Sequence, residues 1–135
     1  MKFRKMMGVT AAFLCAALAL SGCGSTDETA YRIGIVQQDE HSSLDAATQG
    51  FEDKLMELLG EENVTFDYQN AQGEQANCTT IATKFVSDGC DLILANGTTA
   101  LQSAAAATAD IPIVGTSVTD YIAAGAVNSN EKPGT

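Results

Sequence analysis

The chain has 135 residues, 45% of them hydrophobic, and a formal net charge of −10 at pH 7. Lys2, Arg4 and Lys5 precede everything else, so only Arg32, Lys54, Lys84 and Lys132 face the 17 acids, all of which lie beyond residue 22. That imbalance excludes nucleic-acid phosphates as a partner and a basic patch for anionic lipid. It reads as the solvated surface of a soluble domain with enough apolar residues for a core.

The three early bases are followed by an almost wholly apolar stretch from Met6 to Leu20 and then by Ser21-Gly22-Cys23. Positive charge, a short apolar core and small residues, in that order, make a secretory signal peptide over residues 1–22. At roughly 15 residues the apolar run is short for a membrane span. Leu20-Ser21-Gly22-Cys23 resembles the bacterial lipobox, in which the Cys is lipidated and becomes the new N-terminus. The expected product is extracytoplasmic and tethered to a membrane through Cys23, with residues 24–30 as a flexible link.

Ile33-Gly34-Ile35-Val36 is a short apolar run suited to a buried strand. Ser42 with Asp45 three residues on resembles a capping box and opens a helix. Leu44, Ala47, Phe51, Leu55 and Leu58 fall on its inward face, and Gly60 ends it in a left-handed cap. Val64 to Tyr68 alternates, as an edge strand with one exposed face does. A second helix is predicted over about 74–88, with Ile81, Ala82, Phe85 and Val86 inward. Leu92 to Ala95 is a continuous apolar strand. Thr98 or Thr99 caps an Ala-rich third helix. Pro112 blocks its continuation and opens the strand Ile113-Val114-Gly115. A short helix over 121–127 follows.

Of the four cysteines, Cys15 leaves with the leader and Cys23 takes the lipid. Cys78 and Cys90 bracket the second helix. About 12 helical residues hold them roughly 18 Å apart, beyond the ~7 Å that a disulfide spans. Both are expected to be free, buried thiols. One histidine in the chain leaves no metal-ligand spacing, and no cofactor is expected.

Alternation of strand and helix implies right-handed crossovers and a doubly wound parallel sheet. Fully apolar strands belong in the centre and the alternating strand at an edge, so the predicted order is 2-1-3-4. Ligands of such sheets bind at the strand exits beside the switch in strand order. Those exits are Gln37 to Ser42, Asn96 to Thr99, and Thr116 to Asp120. Their candidate contacts are His41, Asn96, Thr98, Thr99, Thr116 and Ser117, polar groups that suit a carboxylate near helix N-termini. Each also has a plainer role. Ser42, Thr98 and Thr99 serve as caps, His41 as an exposed loop residue, Asn96-Gly97 as a turn and Asp120 as a cap. No phosphate loop, dinucleotide fingerprint or nucleophile elbow is present, and no enzyme activity is expected.

These segments together resemble the tryptophan/tyrosine-type substrate-binding proteins of ABC importers, a branch of the type I periplasmic binding fold. The matching stretches are IGIVQ followed by H-x-x-LD-x-A-x-x-GF (33–51), DYQNAQGE (67–74), IATKFVSDGCDLILANGTTALQSA (81–104), and DIPIVGTSVTD with AAG-V and KPG (110–134). The chain departs from the family where Ser42, Thr99 and Tyr121 stand at positions that often hold proline. The resemblance implies a two-lobed receptor that closes on a small solute, an amino acid and perhaps an aromatic one, and docks on permease subunits. It implies that residues 31–135 are most of the first lobe. Two other roles stand beside it: a ligand-presenting sensory module, which shares the fold and which the sequence does not separate from import, and an extracytoplasmic flavodoxin-like enzyme, for which the chain offers no catalytic constellation. A repressor of the same fold is excluded, because the leader stands where the DNA-binding headpiece would be.

Overall fold

The computed structural model describes residues 30–133; the leader, Cys23 and residues 24–29 of the tether lie outside the described residues, as do Gly134 and Thr135. The elements are β1 (Tyr31–Gln37), α1 (Ser42–Leu59), a 3-10 turn (Glu61–Asn63), β2 (Val64–Asn70), α2 (Gln75–Ser87), β3 (Leu92–Asn96), α3 (Thr98–Ala107) and β4 (Ile113–Thr116). All pairings are parallel and the order is β2-β1-β3-β4, as the apolar and alternating runs predict.

Side-chain parity divides the two central strands between the faces of the sheet. Ile33, Ile35 and Leu94 pack with Val64 against Phe51, Leu55, Met56 and Leu59 on the α1 side. Val36, Ile93 and Ala95 pack with Cys78, Ala82 and Phe85 of α2 and Ala100, Leu101 and Ala104 of α3. Gly34 belongs to this second face: a Cβ there would lie 2.6 Å from the Phe85 ring, so the bare backbone admits the ring. Lys84 pairs with Asp67 of β2 and, at 2.7 Å, with Asp88, tying α2 to the sheet edge.

Four local expectations are corrected. Helix α1 is capped by His41, whose Nδ1 accepts the Ser43 N–H at 3.2 Å. Ser42 is its first residue, and the Asp45 carboxylate turns away from the helix end to accept from Gln37 Nε2 at 2.7 Å. The inward stripe of α1 runs through Thr48, Phe51, Leu55, Met56 and Leu59, while Leu58 is 65% exposed. Gly60 has a positive φ of 89°, but its ψ of 138° is extended and not that of a left-handed cap. The predicted helix over 121–127 is a single turn: Asp120 Oδ1 accepts from the N–H of Ile122 and Ala123, and Gly125 at φ 71° ends it.

The open edge of β4 carries its own cap. Pro112 and Thr116 present their carbonyls to β3, accepting from Ile93 and Gly97. Alternation therefore turns the peptide groups of Ile113 and Gly115 outward. The Gly115 carbonyl accepts the Tyr121 hydroxyl at 2.9 Å, which satisfies an edge group that a further strand would otherwise take.

Cys78 and Cys90 are both free and buried. Burial pushes both thiols up in pKa, away from the reactive thiolate. Alkylation followed by peptide mapping is expected to leave both unmodified in the folded chain. Both should be modified after unfolding without reductant. A peptide joined through the two residues would contradict this.

Candidate functional site

Register brings three strand exits into one row. Gln37 lies opposite Asn96 and Asn96 opposite Thr116. Backbone hydrogen bonds continue the row outward: Gln38 N–H donates to the Asn96 carbonyl and Gly97 N–H to the Thr116 carbonyl, both at 2.9 Å. The exits are thus held side by side at the switch between β1 and β3, where a ligand crevice is expected.

The candidates divide by parity. Asn96 follows Leu94 in register, so its side chain enters the layer between the sheet and α1, where it is fully buried. Its Nδ2 donates to the Leu44 carbonyl at 2.7 Å and to Thr48 Oγ1 at 3.0 Å. Gln37, also fully buried, accepts from Thr48 Oγ1 at 2.8 Å and donates to Asp45 and to the Asp39 carbonyl. Together these amides fix the first turn of α1 against two strand ends. Asn96 Oδ1 is buried without a partner among the described residues. Asn96 is therefore part of the floor that positions the exits.

Thr98, Thr99 and Thr116 are half-buried, and Ser117 is exposed with φ 56°, a left-handed value rare outside glycine. Such strain concentrates at functional sites. Neither Thr98 nor Thr99 caps α3. The N-cap is Gly97, and the side-chain acceptor comes from Gln38, whose Oε1 receives the Thr99 N–H at 2.9 Å. His41 is exposed, and its Nδ1 is engaged by Ser43. Sequence reasoning places Gln37 and Gln38 at the first exit without giving either side chain a role, and it misses Thr48. Strand parity marks Gln37, and the α1 stripe marks Thr48.

The charge at the exits is negative or absent. Arg32, at the start of β1, donates to the Asp88 carbonyl; Lys84 pairs with Asp67 and Asp88, and Lys54 with Glu57. Asp39 and Glu40 follow β1 directly. The exit segments carry no Lys or Arg, so a carboxylate there meets hydroxyl, amide and backbone N–H donors, and Asp39 and Glu40 are in the first exit for an ammonium. Among the described residues no three His, Cys, Asp or Glu side chains are grouped to hold a metal. A separate cleft of about 650 Å³ runs beside β4, lined by Leu101, Ile111, Ile113, Tyr121, Val127 and Pro133 among others. Its lining is mostly apolar and lacks the cluster of polar groups that orients a small polar ligand.

Thr48→Val keeps the side chain's shape and removes the hydroxyl that links both buried amides. It is expected to cost about 1–3 kcal/mol, the penalty for leaving buried polar groups unsatisfied. Urea denaturation measures this, and a loss below about 0.5 kcal/mol would show that the network carries little.

The chain forms a parallel α/β sheet with polar exits at its switch point, and comparison with known proteins gives the family. Residues 32–135 match the ABC transporter substrate binding protein family. The chain belongs to this family. It is 40% identical over 98% of its length to a tyrosine-binding protein of Clostridioides difficile (strain R20291), of which it spans 43%. Among solved structures it resembles the ligand-free, open form of a substrate binding protein with adhesive properties from Clostridium difficile, with 47% identity and a TM-score of 0.75 over 78% of this chain and 36% of that one. It also resembles an ABC domain in complex with L-Trp from Streptococcus pneumonia, with 35% identity and a TM-score of 0.73 over 77% and 36%.

Proposed function

We propose that residues 31–135 form the solute-facing N-terminal lobe, or most of it, of an extracytoplasmic substrate-binding protein. Residues 1–22 are its signal peptide, and residues 23–30 are its lipidated Cys and tether. The protein captures an amino acid, by preference an aromatic one, and delivers it to the permease subunits of an ABC importer. The observation that carries this reading is the row of neutral donors at the strand exits in a chain of this family. Tyrosine and tryptophan are the ligands named for two relatives. Thr98, Thr99, Thr116 and Ser117 are the proposed solute contacts, with His41 at the rim and Asn96 beneath. The acids after β1 suit the ammonium, and the uncharged groups suit the carboxylate. No step of catalysis is needed.

Nuclear magnetic resonance tests the site. L-Tyrosine and L-tryptophan should shift the backbone amides of residues 96–99 and 116–117 and leave α2 unmoved. Shifts confined to the apolar cleft beside β4 would refute the assignment. Intact mass of the membrane-purified protein tests the anchor: cleavage before Cys23 with an added acyl-glyceryl group supports it, and an unmodified Cys23 from the native host refutes it.

A further inference from the structure

One side chain lies across the mouth of the crevice between β1 and β3. Gln38 leaves β1 with its N–H on the Asn96 carbonyl, and its own carbonyl accepts from Gly73 at 2.8 Å. Its side chain runs over Gly97 to reach α3. A Cβ on Gly97 would lie 2.6 Å from Gln38 Cβ and 2.7 Å from Oε1, and Gly97 has φ 118°. Only glycine meets both demands. The local sequence is thus built to admit Gln38.

The bond to Thr99 also settles which way the amide faces. A backbone N–H needs an acceptor, so the atom 2.9 Å from it is Oε1 and not Nε2. The carboxamide is pinned by its oxygen. Its Nε2 has no partner among the described residues, in a side chain that is half-buried.

We infer that Gln38 is a specificity residue of the solute site, its Nε2 donating to the solute's carboxylate. The inference rests on the proposal that the strand exits hold the solute, and it adds the residue and the chemistry. Oε1 already occupies the Thr99 N–H, so a carboxylate does not take that donor without displacing Gln38. Arg32, Lys54 and Lys84 are engaged elsewhere, and Lys132 lies in the last described segment, beyond Gly125 and outside the exits. An uncharged NH₂ binds a carboxylate, while Asp39 and Glu40, which follow Gln38 in the same exit, are the acids available to the ammonium. A zwitterion is therefore preferred over an amine lacking the carboxylate.

Gln38→Glu separates this role from a structural one. The variant keeps an oxygen for Thr99, and a negative charge near a helix N-terminus is favourable. It replaces the donor by a second, charged acceptor. The full chain in detergent is titrated with L-tryptophan and with L-tryptophanamide, in which the carboxylate is a neutral amide. Backbone amide shifts report the affinities, and the Thr99 amide shift reports the cap. The wild type should prefer tryptophan by about tenfold or more. Gln38→Glu should lose about tenfold in tryptophan affinity and narrow or reverse the preference, with the Thr99 cap retained. Unchanged tryptophan affinity in Gln38→Glu, or equal loss of both probes, overturns the role of Gln38 and leaves the site standing. Absence of shifts at residues 96–99 and 116–117 in the wild type overturns the site reading itself, and this role with it.

Discussion

Phe85→Ala is expected to remove about 3–5 kcal/mol of folding stability, the range for a buried Phe truncated in a core. Phe85 is fully buried and joins α2 to the sheet by lying directly on Gly34 of the central strand β1. Its neighbours in the cluster include Ala82, Ala95, Ala100 and Ala104, side chains too short to collapse into the space. The floor of the space is strand backbone held by pairing on both sides, which does not collapse either. The loss should therefore fall in the upper part of the range. Single domains are stable by about 5–15 kcal/mol in all, so the variant should be marginal at 25 °C. Urea denaturation followed by circular dichroism gives the value from the shift in midpoint at constant slope. A loss below about 1 kcal/mol would mean that α2 is held to the sheet by something other than this ring. Gly34→Ala approaches the same contact from the other side. It drives a methyl into the ring and should cost about 1–3 kcal/mol by overpacking.

The sheet was legible because its central strands are buried on both faces. Ile33 to Val36 and Leu92 to Ala95 show no alternation, while Val64 to Tyr68 does, and this difference alone orders β2 outside β1 and β3. The exits followed from the order. What sequence concealed was the direction of particular side chains. Asn96 reads as a polar residue at an exit, but two residues earlier Leu94 faces α1, and parity carries Asn96 to the same side. Thr48 interrupts the apolar pattern of α1 because its partners are Gln37 and Asn96, contributed by strands 11 and 48 residues away in sequence. The stripe consequently centres on Thr48 and Leu59, and Leu58 faces water. The cap of α3 is still less local. Its acceptor is Gln38, 61 residues before Thr99, and no window around Gly97 reveals it. The turn after Asp120 ended early because Gly125 adopts positive φ, which stops a helix after one turn.

The full chain is expected to bind L-tyrosine or L-tryptophan about a hundredfold more weakly than the tyrosine-binding protein of Clostridioides difficile binds L-tyrosine. The argument starts from exposure. His41 and Ser117 are open to solvent, and Thr98, Thr99 and Thr116 are only half-buried. In the proposed site the exits hold the head of an amino acid, and this exposure leaves part of its ring in water. Ligand pockets ordinarily bury 70–90% or more of a small molecule's surface. An aromatic side chain offers about 150–250 Å² to bury. Leaving about 100 Å² of it wet forfeits about 2.5 kcal/mol, and each 1.4 kcal/mol is tenfold in affinity. The relative is more than twice as long, since the chain spans 43% of it, and its further residues are the proposed source of a covering wall. Calorimetry on the two proteins side by side measures the difference. Equal, tight binding would place every wall of the site within this chain. Thr98→Ala with Ser117→Ala should abolish what binding remains. Unchanged weak affinity in that double variant would move the solute contacts away from the β3 and β4 exits.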